Sequence, residues 1–295
     1  MKVSLIDADS IIHIVSYHNA VPSNVVDMIT SEDPETKAKT IQDFYETKDS
    51  KPVLDHVDSF IADIIHSTES THYLGFVGSR EGSNTFRHKL AVTKPYKGQR
   101  VGTPHWTKYW KPIIIKHMVD NWNFIEVNNI EADDACSMCA THFLMKNIDY
   151  VVCSPDKDLK QIEGKHYDYK RLEHDYVSKT QALQILYKQI LVGDSTDNIS
   201  GCPKVGVKSP YLKEIDELET LEEIHKFTKG VFEYKKASHL FKEQLDLVYM
   251  LRVPDGIDLK EIPNPIEYKD LGNRDTEFKQ DVELPPIQEN TSFNQ

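Results

Sequence analysis

Acidic residues recur in this chain where apolar runs end. Asp7 and Asp9 follow residues 3–6, and Glu131, Asp133 and Asp134 open a helical pattern after residues 124–127. Asp156 and Asp158 follow residues 150–153, and Asp194 and Asp197 sit in a loop after a helical run. Glu131 with Asp134, and Asp194 with Asp197, have the i, i+3 spacing that puts two side chains on one helix face. One such group is explained by capping, because carboxylates near a helix N-terminus are favourable. Four groups gathered at one end of a sheet would repel and raise each other's pKa unless cations neutralised them. Hard divalent ions with all-oxygen ligands, Mg²⁺ or Mn²⁺, are the matching partners.

The charge balance fits the same chemistry. With 35 Lys and Arg against 47 Asp and Glu the net charge is −12, which taken alone argues against a nucleic-acid partner. Yet residues 80–117 hold nine bases (Arg80, Arg87, Lys89, Lys94, Lys97, Arg100, Lys108, Lys111, Lys116) and one acid, Glu81, so this segment carries +8 and the remainder −20. Without the nine clustered acids the net charge would be −3, so much of the acidity is accounted for by a metal site. An acidic two-metal site beside a basic arm points to phosphodiester hydrolysis, with hydroxide generated at one ion and the leaving oxygen's charge stabilised at the other.

The elements that must position these groups alternate. Residues 3–7, 73–77, 124–127 and 150–153 read as strands, and residues 53–65 and 131–145 as amphipathic helices, which predicts an α/β fold with a mostly parallel central sheet and flanking helices. Residues 22–52 are polar with weak periodicity and read as a variable insertion. From Ser178 the pattern is helical, broken by the Gly-rich residues 201–206, and residues 255–295, with ten acids and four bases, read as a loosely packed acidic tail. The expected organisation is a catalytic α/β region over 1–177 with a basic arch at 80–117, a helical region over 178–254, and the tail.

Collagen-like and wholly disordered chains are excluded by 39% apolar residues with 12 Gly and 14 Pro among 295. No apolar run approaches the ~20 residues of a membrane span, and His13 interrupts residues 11–15, so neither a membrane partner nor a secretory signal is expected. The four cysteines do not make a disulfide scaffold; Cys136 and Cys139 lie inside a helix and read as buried small side chains rather than zinc ligands. The 13 histidines show no metal-ligand spacing.

In order along the chain, the strand with Asp7, Glu131-Ala132-Asp133-Asp134, Ser154-Pro155-Asp156-Lys157-Asp158 and Gly193-Asp194-Ser195-Thr196-Asp197-Asn198-Ile199 resemble the motifs of the 5′-nuclease superfamily. Its members include flap endonucleases, the 5′-nuclease domains of bacterial DNA polymerases and bacteriophage 5′→3′ exonucleases, and the stand-alone bacteriophage type is the nearest likeness. Phe86-Arg87 followed by Tyr96-Lys97-Gly98-Gln99-Arg100 is similar to the family's basic helical arch, and residues 201–208 are similar to its helix–hairpin–helix. The resemblance covers roughly residues 1–250. It implies a PIN-like fold and a two-metal 5′→3′ exonuclease with structure-specific flap endonuclease activity, acting in DNA replication and repair.

Residue by residue, the resemblance assigns Asp7, Glu131, Asp133, Asp134 and Asp156 to a first metal site. Asp158, Asp194 and Asp197 go to a second, with Asp156 near both. Lys97 matches a lysine that contacts the scissile phosphate, and Arg100 the arginine one turn on, so both are assigned to catalysis as charge-neutralising clamps. Arg87, Tyr96, Gly201, Lys204, Gly206 and Lys208 are assigned to DNA: Tyr96 by stacking on a terminal base, residues 201–208 by offering backbone N–H groups to a phosphate. Two or more Mg²⁺ or Mn²⁺ ions are implied, with K⁺ at the helix–hairpin–helix. The implied partner is DNA with 5′ ends, flaps or junctions, or an RNA–DNA hybrid, bound by a cytoplasmic monomer (in the host cytoplasm for a bacteriophage chain).

One departure stands out. The family usually carries an Asp after the second strand, a few residues before Phe-Arg; residues 76–84 here hold no Asp, and the nearest acid is Glu81. Water, Asp9 or Glu81 would have to fill that place; Asp9 is otherwise a supporting residue or an exposed turn acid. The enzymatic alternatives are a PIN-type ribonuclease, disfavoured by residues 201–208, and an RNase H-like primer remover. The alternative of another class is a non-catalytic junction-binding protein, which eight intact acids oppose.

Overall fold

Val3, Leu5 and Ile6 make β1 (Lys2–Asp7) apolar on both faces, and such a strand is stable where helices cover both sides of a sheet. The computed structural model, which describes residues 1–20, 33–80, 84–100, 102–253 and 263–269, puts β1 at the centre of that sheet. Its neighbours are β2 (His72–Gly78), β3 (Ile125–Val127), β4 (Asp149–Cys153), β5 (Gly164–Asp168) and β6 (Glu173–Val177), in the order β3-β2-β1-β4-β5-β6. The first five strands run parallel and β6 returns antiparallel beside β5. The chain changes side of β1 between β3 and β4. The carboxyl ends of β1 and β4 therefore flank a topological switch point, where open α/β sheets bind ligands.

Before β2 come α1 (Asp9–His18), α2 (Pro34–Glu46) and α3 (Lys51–Ser67); α4 (Phe86–Leu90) and α5 (His105–Trp122) precede β3, and α6 (Ala132–Met145) precedes β4. One face of the sheet packs through Ile6 and Val77 on Ile11, Val15, Ile61, Trp110 and Met118 of α1, α3 and α5. The other packs through Leu5, Leu74 and Phe76 on Ala135, Met138 and Phe143 of α6. After β6 follow α7 (Lys179–Val192), α8 (Pro210–Asp216), α9 (Leu221–Tyr234) and α10 (Ser238–Val248). They close a core of their own around Leu186, Ile190, Ile224, Phe232 and Phe241. Reciprocal caps, Ser178 with Gln181 and Thr220 with Glu223, start α7 and α9.

Four sequence readings change. The expected insertion at 22–52 contains α2, started by Asp33 accepting from the Thr36 N–H at 2.7 Å and held to the core by Ile41 and Tyr45; residues 21–32 lie outside the described ones. The expected arch at 80–117 divides: from His105 onward it is α5, whose Trp110, Ile114, Met118 and Trp122 are buried at four-residue spacing. The β5–β6 hairpin was not expected from the sequence. Within the expected tail, β7 (Ile266–Glu267) pairs antiparallel with the start of β2; residues 254–262 and 270–295 lie outside the described ones.

Candidate metal centre

Strand alternation turns Asp7, like Leu5, toward the α6 face, and the end of β1 sets it at the switch point. It is buried; Ser154 Oγ donates to its Oδ2 at 2.9 Å and the Asp9 N–H to its Oδ1 at 3.2 Å. Burial, then the charge of Asp9, push the Asp7 carboxyl up to about 7. Asp9 Oδ1 accepts the Gly78 N–H at 2.8 Å, and a Cβ on residue 78 would stand 3.0 Å from Asp9 Oδ2, a contact tight enough that the carboxylate would have to shift. The Asp9 carboxylate thus lies against the end of β2, beside the place where the resemblance leads one to expect an acid. Glu81 is outside the described residues.

Glu131, Asp133 and Asp134 crowd the start of α6, with one carboxylate oxygen of each lying within 4.8 Å of the others. Glu131 and Asp134 also cap the helix reciprocally, so the bland explanation of these acids holds beside the chemical one. Burial, then the charges of Asp134 and Glu131, hold the Asp133 carboxyl well above the carboxylate range. Asp134 is fully buried and accepts from Arg87 through both oxygens, at 2.5 and 2.8 Å, and from the Leu251 N–H at 3.1 Å. Arg87 also donates to the carbonyls of Leu247 and Tyr249, at 3.0 and 2.8 Å. Burial works against its charge, but Asp134 and Glu131 outweigh it and keep the guanidinium above its ordinary range. Asp134 is thus paired with Arg87 while staying one of the three clustered acids, and Arg87 is buried, its guanidinium held by Asp134 and two backbone carbonyls.

The second group sits opposite. Asp194 and Ile199 exchange backbone hydrogen bonds across a tight turn in which Asp194 Oδ1 accepts the Thr196 and Asp197 N–H groups, at 2.7 and 3.3 Å. Gly193 makes the turn possible, with φ +76° and a Cβ position 2.3 Å from the Ile199 carbonyl oxygen. Lys157, absent from the sequence assignment, sits 3.3 Å from Asp158 and 3.6 Å from Asp194. Gln189 of α7, also unassigned, donates to Asp158. Burial, then Asp156, push the Asp158 carboxyl up to about 6. Asp156 is exposed and accepts the Asp158 N–H at 2.8 Å, between the two groups in sequence and in charge. Glu131, Asp133, Asp158, Asp194 and Asp197 line one pocket with Arg87, Tyr96 and Gln189.

Residues 95–100 form turns rather than the expected helix, with Lys97 in the left-handed region at φ +56°. Lys97 Nζ pairs with Glu131 and lies 3.9 Å from Asp197, and Arg100 Nη2 reaches Asp197 Oδ1 at 2.8 Å. Tyr96 is buried, its hydroxyl 2.8 Å from both Glu131 Oε2 and Asp197 Oδ2, so the expected base-stacking face is not offered. In the 201–208 loop the Gly201 N–H donates to Gln244 at 2.7 Å, which removes it from the expected phosphate donors. Lys204, Gly206 and Lys208 are exposed. The four cysteines are free and buried, as the sequence suggested. Among the described residues no helix is long and apolar enough to cross a membrane.

Fold and site together define a cluster of carboxylates at the switch point of an α/β sheet, capped by a basic turn. Residues 2–187 match the family described as 5′-3′ exonuclease, N-terminal resolvase-like domain. DNA polymerase I of Bacillus subtilis is 30% identical over 203 residues, 61% of this chain and 22% of the polymerase. The 5′-3′ exonuclease of Buchnera aphidicola is 32% identical over 172 residues, 53% of this chain and 55% of that one. The chain therefore spans about a quarter of the polymerases and little more than half of that exonuclease. In fold it is similar to the bacteriophage T5 5′-exonuclease with divalent zinc bound, at a TM-score of 0.55 and 15% identity over 84% of this chain and 89% of that one. The chain belongs to the 5′-3′ exonuclease family, through its N-terminal resolvase-like domain.

Proposed function

We propose that this chain is a metal-dependent 5′→3′ exonuclease that also cuts 5′ flaps, hydrolysing phosphodiester bonds of DNA in replication and repair. The observation that carries this reading is the pocket in which carboxylates from separate chain segments meet beneath Lys97 and Arg100. The donor set is all oxygen and suits Mg²⁺ or Mn²⁺. Asp7, Glu131, Asp133 and Asp134 would hold one ion and Asp158, Asp194 and Asp197 another, with Asp156 serving either. Bound there, the ions supply Lewis acidity, which lowers the pKa of attacking water and offsets the charge that develops on the phosphate. Lys97 and Arg100, released from Glu131 and Asp197, clamp the scissile phosphate. Lys89 and Lys94 are exposed, and Lys204, Gly206 and Lys208, also exposed, offer a second contact to the duplex, where the resemblance also implies K⁺. Asp7 is buried and keeps its position through Ser154. We take the working form to be a cytoplasmic monomer that also accepts RNA–DNA hybrids.

The test is incubation with 5′-labelled duplex, flap and RNA–DNA hybrid, in Mg²⁺ and in EDTA. Mononucleotides or short 5′ products are expected in Mg²⁺ alone. Tight binding of flaps with no cleavage in Mg²⁺ or Mn²⁺ would make the chain a junction-binding protein instead.

A further inference from the structure

We propose that Tyr96 is a positioning residue of the metal centre, its hydroxyl holding Glu131 and Asp197 at a fixed separation; this rests on the metal-dependent reading above. The two acids come from distant parts of the chain, Glu131 from the start of α6 and Asp197 from the turn after α7. Tyr96 Oη stands 2.8 Å from Glu131 Oε2 and 2.8 Å from Asp197 Oδ2. It has one proton, so it donates to one of them at a time and keeps both within reach. Arg87 Nη1 adds a second donor to Glu131 Oε2, at 3.2 Å. The other oxygens point elsewhere: Glu131 Oε1 to Lys97 and Asp197 Oδ1 to Arg100.

Each carboxylate therefore has one oxygen held by Tyr96 and one facing a cation. The two cations are exchangeable, since Lys97 keeps 20% and Arg100 53% of its side-chain surface in solvent. Tyr96 is not. The Lys97 N–H donates to the Asp197 carbonyl at 2.9 Å, and Asn198 Nδ2 donates to the Pro95 carbonyl at 2.9 Å, which pins the turn on both sides of the ring. His88 meets the ring edge-on at 5.2 Å, and the Lys97 ammonium lies 4.9 Å from its centroid. With Lys97 and Arg100 withdrawn, the hydroxyl would go on holding Oε2 and Oδ2, and Oε1 and Oδ1 would be the oxygens open to divalent ions. A neutral hydroxyl can stay in such a site, whereas a third cation would compete with the metal.

A stacking role and a positioning role separate cleanly in the full-length chain, because Phe stacks as well as Tyr but has no hydroxyl. Mn²⁺ uptake is read from the paramagnetic resonance signal of the free ion for wild type, Tyr96→Phe and Tyr96→Ala. Thermal unfolding in EDTA shows that each variant is folded, and Phe preserves the packing. The expected result is Mn²⁺ affinity lowered on the order of 10- to 100-fold in Tyr96→Phe and about equally in Tyr96→Ala, as for other residues that orient metal ligands. With it, the Mg²⁺ midpoint for cleavage should rise while KM for DNA at saturating Mg²⁺ stays unchanged in Tyr96→Phe. Wild-type Mn²⁺ affinity in Tyr96→Phe, with DNA binding lost only in Tyr96→Ala, would overturn the positioning role and restore stacking. Wild-type protein that takes up no Mn²⁺ would overturn the metal-dependent reading as well.

Discussion

At the scale of single residues, Asp9 and Gly78 meet closely at the end of β2, where Asp9 accepts the Gly78 N–H. The end of β2 carries glycine, and a Cβ at position 78 would stand 3.0 Å from the carboxylate of Asp9. An acid at position 78, which the resemblance alone would recommend, would therefore set a second carboxylate against that of Asp9. Gly78→Asp should destabilise the metal-free chain by about 1–3 kcal/mol, through overpacking and like-charge repulsion. Gly78→Asp combined with Asp9→Ala should recover most of that loss and keep Mn²⁺ uptake. Urea unfolding of the single and double variants in EDTA decides between them. If Gly78→Asp alone is as stable as wild type and needs less Mg²⁺, Asp9 does not fill that place.

Among the elements, the short helix α4 matters chiefly because it carries Arg87 inward. Arg87 joins the start of α6 to the end of α10 through Asp134 and the carbonyls of Leu247 and Tyr249. Arg87→Met leaves Asp134 buried and unpaired and should lower stability by about 3–5 kcal/mol. Adding Asp134→Leu should return much of it, because the uncompensated charge has gone; chemical unfolding of both variants measures the difference. None of this pairing was legible in the sequence, since the partners lie 47 and about 160 residues from Arg87. What was legible had a local cause. β1, β2 and β4 are apolar runs, α3 and α6 carry a helical repeat, and the acids stand where strands stop. The α5 repeat was also present, as Trp110, Ile114, Met118 and Trp122, but Lys108, Lys111 and Lys116 between them drew attention to charge. The β5–β6 hairpin lies at the edge of the sheet, and β6 buries only Val177, so it offered almost no periodic signal.

For the whole molecule, the clustered carboxyls make stability depend on pH in an unusual direction. The Asp7 carboxyl lies at about 7 and that of Asp158 at about 6, both raised first by burial. In the unfolded chain such groups titrate near their ordinary value of about 4. Between about pH 4 and pH 7 these two carboxyls bind more protons in the folded chain than in the unfolded one, so their contribution to metal-free stability falls as pH rises, while His56, His105, His142, His166 and His225, held below their ordinary value first by burial, work the other way. Thermal unfolding in EDTA should show Asp7→Asn raising Tm over wild type more at pH 8 than at pH 5.5, and Mg²⁺ should raise the wild-type Tm more at pH 8. An effect of Asp7→Asn that is the same at both pH values would mean that the Asp7 carboxyl is not held up by the fold. The Arg87 strut has a bearing on where this protein can be divided. The family match stops at residue 187, whereas the carbonyls that receive Arg87 and the Leu251 N–H that closes on Asp134 lie more than fifty residues later. A fragment trimmed to the matched region would lose Asp194 and Asp197 and would also leave a buried guanidinium short of acceptors. The catalytic sheet is therefore not a transplantable cassette: its excision boundary is set by a backbone clasp that the family match does not reach.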